Sequence, residues 1–386
     1  MRLFEPVTIG GVHLKNRVIM PAMFVNLGLR GRRASAFYVE RARGGVAAII
    51  TQGVSVDLLT SDDAWGKARA AAAFVQGIRP LTEAVHAAGA RIGLQLFHAN
   101  RFPSGMGLED SRGEPVAPSQ CDDIYYRGAK SGLPPQTPCR ALTAAEIETI
   151  ILRFGQAARA AEEAGFDFIE INASNGQLCS QFFSPADNRR SDRFGGSLAR
   201  RMTFGLECAS SMRSATSGRL PVIFRIGALD EKAGGATLAD NVTFAVELEN
   251  AGVAAFNIGV GAPADPRRYW IDHVAPTADQ PLGLLADFSA AFKRKVNVPV
   301  IVVGRINTPQ VAEGILSKGK ADLVAIGRQL LADPFWVSKA AGGRADDITA
   351  CRSCNDCLAS LASGRDVRCS VNPRLGKEAE TAAPEG

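Results

Sequence analysis

Short β-branched runs and amphipathic stretches alternate along almost the whole of this chain. The runs are RVIMP (17–21), VAAIIT (46–51), RIGLQLF (91–97), DFIEIN (167–172), PVIFRI (221–226), AAFNIG (254–259), PVIVVG (299–304) and ADLVAIG (321–327). Each is followed, after a loop, by a helical stretch. AAEIETIILRFGQAARAAEEAG (144–165) repeats its apolar residues at three and four, and TPQVAEGILSKG (308–319) opens on the start signal Thr308-Pro309 and stops at Gly319. Eight strand-then-helix units in about 340 residues is the count of a (β/α)8 TIM barrel, an α/β fold. The excess length is expected in an insertion at 100–142, rich in Gly, Pro and Ser, between the third strand and its helix. Nothing repeats at a solenoid period, no linker separates two cores, and the tail ETAAPEG is expected to fray.

Composition excludes several classes. With 46% hydrophobic and 22% charged residues, the chain is an ordinary globular protein with material for a large core. The net charge of +5 is modest and unstriped, and the patch Arg30, Arg32, Arg33 is balanced by nearby acids, so nucleic acid is not implied. No apolar run approaches the roughly 18 residues needed to span a bilayer. There is no charged-then-apolar leader, and eight cysteines in 386 residues do not make a secreted disulfide scaffold, so the expectation is a cytoplasmic protein with reduced thiols.

Four of those cysteines crowd one stretch, CRSCNDCLASLASGRDVRC (351–369). Cys351, Cys354 and Cys357 are spaced C-x2-C-x2-C, and Cys369 follows after a stretch that can return to the same point. Structural zinc usually takes two separated pairs or mixes in histidine, and the four histidines, His13, His86, His98 and His273, are all distant. A compact triplet with one remote thiolate favours an iron–sulfur cluster, with zinc as the alternative. Cys121, Cys139, Cys179 and Cys208 share no spacing and read as small buried apolar residues.

Barrel enzymes build their sites at the carboxyl ends of the strands. The seventh strand ends in Gly304-Arg305 and the eighth in Gly327-Arg328. Glycine lets backbone N–H groups approach phosphate oxygens and arginine adds bidentate charge, so two such pairs on adjacent final strands point to a phosphorylated ligand.

With these elements in place, the chain resembles the Old Yellow Enzyme group of flavin-dependent oxidoreductases. It is most similar to the iron–sulfur branch that includes 2,4-dienoyl-CoA reductase and trimethylamine dehydrogenase. The likeness runs through LFEPVTIGGVHLKNRVIMPAM, ERARGGVAAIITQG, GLQLFHANR, GFDFIEINASNGQLCSQFFSPADNRRSDRFGGSLARR, PVIVVGRINTP, DLVAIGRQLLADP and the closing cysteine segment. The resemblance implies an FMN-binding barrel over 1–345 and a segment over 346–386 holding a [4Fe-4S] cluster on Cys351, Cys354, Cys357 and Cys369. It places the FMN phosphate on Gly304, Arg305, Gly327 and Arg328, and the pyrimidine edge of the ring on Gln95. Arg225 comes near N1 and O2, where its charge stabilises reduced flavin, and Pro21, Met23 and Gly53 wall the ring.

Relatives place histidine or asparagine, and then tyrosine, where substrate meets flavin. Here those positions are Asn172, Asn175 and Gln177. The amides can orient a carbonyl, but Gln177 cannot replace tyrosine as an acid, which leaves Tyr125, Tyr126, Asp265, Tyr269 and His273 as unplaced proton sources. The two asparagines could equally cap the loop after the fourth strand. His86 reads as a helix residue, and His98 as either a pocket or a structural histidine.

The implied activity is hydride exchange between flavin and a small organic substrate, as in reduction of an activated C=C bond. Amine dehydrogenation or demethylation is one alternative, and a non-catalytic electron-transfer subunit is another. NADH or NADPH is a candidate donor. The chain stops soon after Asn372-Pro373-Arg374 without a strand and G-x-G-x-x-G, so the electron route is expected to lead to a separate electron-transfer protein or nucleotide-binding flavoprotein subunit. Homo-oligomerisation is left open.

Overall fold

The structure is a computed structural model that describes residues 1–59, 64–98, 115–121, 139–262 and 274–381. The eight anticipated runs are eight strands: β1 (Val18–Met20), β2 (Ala48–Ile50), β3 (Arg91–Phe97), β4 (Phe168–Ala173), β5 (Val222–Gly227), β6 (Ala255–Gly259), β7 (Val300–Val302) and β8 (Leu323–Ala325). Each pairs in parallel with the next, and β8 returns to β1 to close the barrel. The connecting helices are α1 (Gly31–Arg43), α2 (Ala64–Ala87), α3 (Ala144–Glu163), α4 (Leu178–Phe183), α5 (Leu198–Ala215), α6 (Leu238–Asn250), α7 (Ala286–Lys293), α8 (Pro309–Ser317), α9 (Arg328–Ala332) and α10 (Trp336–Ala341). The two helices anticipated most explicitly are α3 and α8. In α8, Thr308 accepts from Val311 N and Pro309 occupies the first turn, so the start signal acts through capping. In α3, Thr143 and Glu146 form a reciprocal capping box.

Strand pleating divides each run between two apolar layers. Val18 and Met20 on β1, Ile49 on β2, and Val222, Phe224 and Ile226 on β5 pack outward against the helices. Ile19, Ala48, Ile50, Phe168, Ile223, Ala255, Ile301 and Leu323 turn inward and fill the base of the barrel. A short antiparallel hairpin, Val7–Ile9 with Val12–Leu14, plugs that base with Ile9 and Leu14. Gly93 on β3 is obligatory here, since a Cβ at that position would lie 2.1 Å from the Phe168 ring. The base is therefore solid, and any site must open at the other end.

Beyond α10, the chain folds back over the barrel. Val367 N donates to Val25 O at 3.1 Å, and Glu378 meets the buried Arg41 of α1 at 2.9 Å. Between α10 and the Glu378 return lie the four clustered cysteines and α11 (Asp356–Ala362). Among the described residues, no helix is long and apolar enough to cross a membrane. Most of the expected insertion and the end of the tail lie outside the described residues.

Candidate active site

One pleat above the apolar base, the same inward positions become polar. Gln95 and Glu170 sit side by side in the β3–β4 register, and Arg225 lies between Asn172 on β4 and Asn257 on β6. Their side chains form one chain of hydrogen bonds. Arg225 Nε donates to Ser174 Oγ at 3.1 Å, and Ser174 Oγ donates to Asn172 Oδ1 at 3.0 Å. Asn172 Nδ2 donates to Gln95 Oε1 at 3.3 Å. Gln95 Nε2 donates to Glu170 Oε1 at 2.6 Å, and Asn257 Nδ2 to Glu170 Oε2 at 2.7 Å. Glu170 and Asn257 are fully buried. Burial pushes the Glu170 carboxyl up, while the Arg225 charge and the Asn257 and Gln95 donors pull it back.

Gln95, Asn172 and Arg225 thus lie on one hydrogen-bond chain that ends on the buried acid Glu170. Glu170 and Asn257 carried a readable signal, since each is a polar residue at an alternate position of a barrel strand (DFIEIN, AAFNIG), where an apolar side chain is the default.

The loop after β4 holds the other two amides. Asn175 is in the left-handed region at φ 55° and donates its N–H to Val260 O at 2.7 Å. Gln177 is the N-cap residue of α4, makes no side-chain cap, and its buried Oε1 has no hydrogen-bond partner among the described residues. An acceptor left in that state is costly unless a ligand satisfies it.

Of the histidines, His86 Nε2 pairs with Asp167 Oδ2 at 2.7 Å on the helical layer, the structural role expected of it. His98 closes β3, is buried, and meets Asp57 Oδ2 at 3.2 Å. Burial lowers its pKa, with Asp57 opposing and Arg153 adding to the effect. Tyr125, Tyr126, Asp265, Tyr269 and His273 lie outside the described residues.

Among the other residues named from the sequence, Gly327 lies near Met23 and Pro21, and Gly53 lies against Gln95. A Cβ on Gly327 would come 3.1 Å from Met23 Sδ and 3.5 Å from Pro21 Cγ, so these three share one wall. A Cβ on Gly53 would come 2.9 Å from Gln95 Oε1, so glycine keeps this side of the amide oxygen open. Gly304 has φ 120° and Arg305 φ 48°, and the buried Arg305 Nε lacks a hydrogen-bond partner among the described residues. An unpartnered buried guanidinium nitrogen beside a bent glycine backbone fits an anionic phosphate. Arg328 is placed differently, because its Nη1 donates to Asn355 Oδ1 at 2.5 Å and its Nη2 to Pro276 O at 2.7 Å. It faces the cysteine loop.

That loop is curled by two left-handed residues, Ser353 at φ 53° and Asn355 at φ 61°. Cys351 Sγ accepts from Ser353 N at 3.4 Å, and Cys354 Sγ lies 3.2 Å from Ser370 Oγ. Burial pushes the Cys357 thiol up to about 11, the Arg328 charge opposes it, and Cys351 and Cys369 add to it. The four sulfurs therefore share one electrostatic environment with a guanidinium beside it. Among the described residues, no three His, Cys, Asp or Glu side chains gather closely enough to hold a single metal ion. The donor set, four thiols with the Ser353 N–H on Cys351 and the half-buried Arg328 guanidinium beside them, fits a negatively charged cluster.

A model of the NADH:flavin oxidoreductase / NADH oxidase family matches residues 2–347. The chain is 38% identical over 386 residues to a metal reductase of Desulforamulus reducens, covering 98% of this chain and 54% of that protein. It is 38% identical over 396 residues to an NADH oxidase of Thermoanaerobacter brockii, covering 97% of this chain and 56% of that one. The chain thus spans about half the length of these curated relatives. A solved 2-naphthoyl-CoA reductase in complex with 2-naphthoyl-CoA matches 98% of this chain and 58% of its own, with a TM-score of 0.83 at 26% identity.

Proposed function

This chain belongs to the NADH:flavin oxidoreductase / NADH oxidase family, and from that premise we propose that it is an FMN- and [4Fe-4S]-dependent oxidoreductase that reduces an activated C=C bond in a small organic substrate. Residues 1–345 would hold the flavin and 346–386 the cluster. The observation that carries the reading is the chain of hydrogen bonds running from Arg225 to Glu170 across the barrel mouth.

FMN bound in this mouth supplies two-electron hydride exchange. Arg225 is held by Ser174 on the inner face, where a fixed positive charge favours an electron-rich ring. Gln95 is oriented by Glu170 and Asn172, so its amide presents a set geometry beside Gly53. Pro21, Met23 and Gly327 form a wall, and Gly304 and Arg305 form the phosphate end. Asn172 spends its oxygen and one of its two N–H donors within this chain, so a substrate carbonyl would be oriented by its remaining N–H together with Asn175 and Gln177. None of these amides releases a proton near neutral pH, so the proton comes from water or another loop.

The four thiolates Cys351, Cys354, Cys357 and Cys369 would hold a cluster that carries single electrons. Cys354 is exposed, which supports exchange with a separate electron-transfer protein at that edge, with NADH or NADPH as the primary donor. The absence of a titratable group among Asn172, Asn175 and Gln177 favours a second reading, amine oxidation, because hydride removal from a neutral amine needs no acid at the carbon.

The reading is tested on anaerobically purified protein. A flavin spectrum, roughly four irons per chain, and reoxidation of dithionite-reduced flavin by an α,β-unsaturated carbonyl support it. Stoichiometric zinc overturns the cluster. Bleaching by a tertiary amine, with no reoxidation by the alkene, transfers the assignment to amine oxidation.

A further inference from the structure

Two cysteines unused by the flavin or the cluster face each other across one antiparallel rung. Cys139 N donates to Cys121 O at 2.7 Å, and Cys121 N donates to Cys139 O at 3.2 Å. This reciprocal exchange marks a hydrogen-bonded pair, in which the Cα atoms lie about 5.5 Å apart and both side chains share a face. That spacing is within the range of about 4.4–6.8 Å that a disulfide spans. The Cβ atoms of such a pair sit near 5.5 Å, whereas a relaxed disulfide holds them at roughly 3.5–4.5 Å. Closure therefore requires a pull of about 1 Å, which an isolated rung can absorb more readily than a continuous ladder. In the structure both residues are thiols.

We propose that Cys121 and Cys139 are a reversible thiol–disulfide site whose oxidant is a small-molecule disulfide. Cys121 is partly exposed and Cys139 fully buried, which sets the order of events. The Cys121 thiolate attacks one sulfur of the small disulfide and expels one small thiolate. The Cys139 thiolate then attacks the Cys121 sulfur of the mixed disulfide and expels the second. One S–S bond is broken and one formed, the two cysteines are oxidised by two electrons, and their two protons pass to the small thiols. The strain in the product makes it more easily reduced than a relaxed structural bridge.

The rung stands where the chain is clamped against the turn after α4. Arg190 Nη1 donates to Pro118 O at 2.9 Å and to Leu142 O at 2.5 Å, and Ser119 Oγ accepts from Arg189 N at 2.9 Å. α4 begins at the Gln177 cap, so oxidation tightens a support of the site wall. A second thiol pair, Cys179 with Cys208, is in side-chain contact, but both of its side chains are buried, which disfavours attack by a small disulfide.

The purified protein is treated with oxidised glutathione, trapped with N-ethylmaleimide, digested and analysed by mass spectrometry. The expected product is a Cys121–Cys139 linked peptide that is lost on reduction by excess glutathione, absent in Cys121→Ser and retained in Cys208→Ser. Cys139→Ser should stop at a glutathione adduct on Cys121. A stable Cys121 adduct in the wild type, no reaction at either residue, or a bridge between Cys179 and Cys208 instead would each overturn the proposal.

Discussion

Arg328 Nη1 donates to Asn355 Oδ1 at 2.5 Å, tying the end of β8 to the residue between Cys354 and Cys357. Asn355 Nδ2 continues the tie to Ala275 O at 2.7 Å. The guanidinium thus fixes the curl of the cysteine loop and faces its sulfurs with positive charge. Removing it in Arg328→Gln should weaken the seating of that loop by about 1.5–3 kcal/mol, the range for a hydrogen bond to a charged group. Iron retained after dialysis is expected to fall well below wild type, with Arg328→Lys intermediate. Unchanged iron in the Gln variant would show that the loop is held without this contact.

Glu170 accepts from Gln95 on the neighbouring β3 and from Asn257 on β6, two strands away in the barrel. Truncation in Glu170→Ala leaves two buried amide donors unsatisfied and the nearby Arg225 charge unopposed, a loss of about 2–5 kcal/mol. Urea denaturation should show the midpoint shift, with Glu170→Gln losing less because it keeps one acceptor. Equal losses in the two variants would mean that packing, and not hydrogen bonding, dominates here.

Gln177 stands at the start of α4 with its buried Oε1 unpartnered among the described residues. If a proton donor is missing at this place, Gln177→Tyr should raise the rate with an activated alkene and leave FMN content unchanged. Steady-state rates across a series of alkene acceptors give the comparison. A rate unaffected throughout the series would place the residue outside the pocket or protonation outside the slow step.

Glu146 binds Arg140 through two bonds, at 2.8 and 3.0 Å, and accepts from Thr143 N and Oγ. The Arg140 hydrogen bonds, followed by those of Thr143, lower its carboxyl from 4.5 to about 2, with burial opposing. A depressed folded pKa contributes stability that is present above pH 4.5 and disappears as the pH falls towards 2. The side chain is 39% exposed, so solvent screening limits the contribution to about 0.5 kcal/mol. The stability gap between wild type and Glu146→Gln should therefore be measurable at pH 6 (an assay value of about 6, above the unfolded pKa) and close in acid. A gap independent of pH would assign the effect to the cap geometry alone.

The barrel was legible because its signals are local. Each apolar run is short and bounded by turn residues, and each helix carries its own period and cap, as Thr308-Pro309 does for α8. Eight such units in order leave little freedom of topology, since parallel strands with right-handed crossovers close in only a few ways. The same locality exposed the cysteine triplet and the Gly-Arg pairs. Side-chain partners far apart in sequence had no local trace. Gln95, Glu170, Arg225 and Asn257 come from four strands, and only barrel closure turns their alternate positions onto one inner layer. Arg328 reads as a phosphate ligand from its glycine neighbour, while its hydrogen bonds to Asn355 and Pro276 have no trace in the sequence. Cys121 and Cys139, unremarkable in spacing, meet because the chain doubles back to put them on one rung. Hydrophobic period and turn chemistry act over a few residues, and they specify the scaffold. The direction of a polar side chain is set by whichever distant donor or acceptor the closed scaffold brings within about 3 Å, and that is settled only on folding.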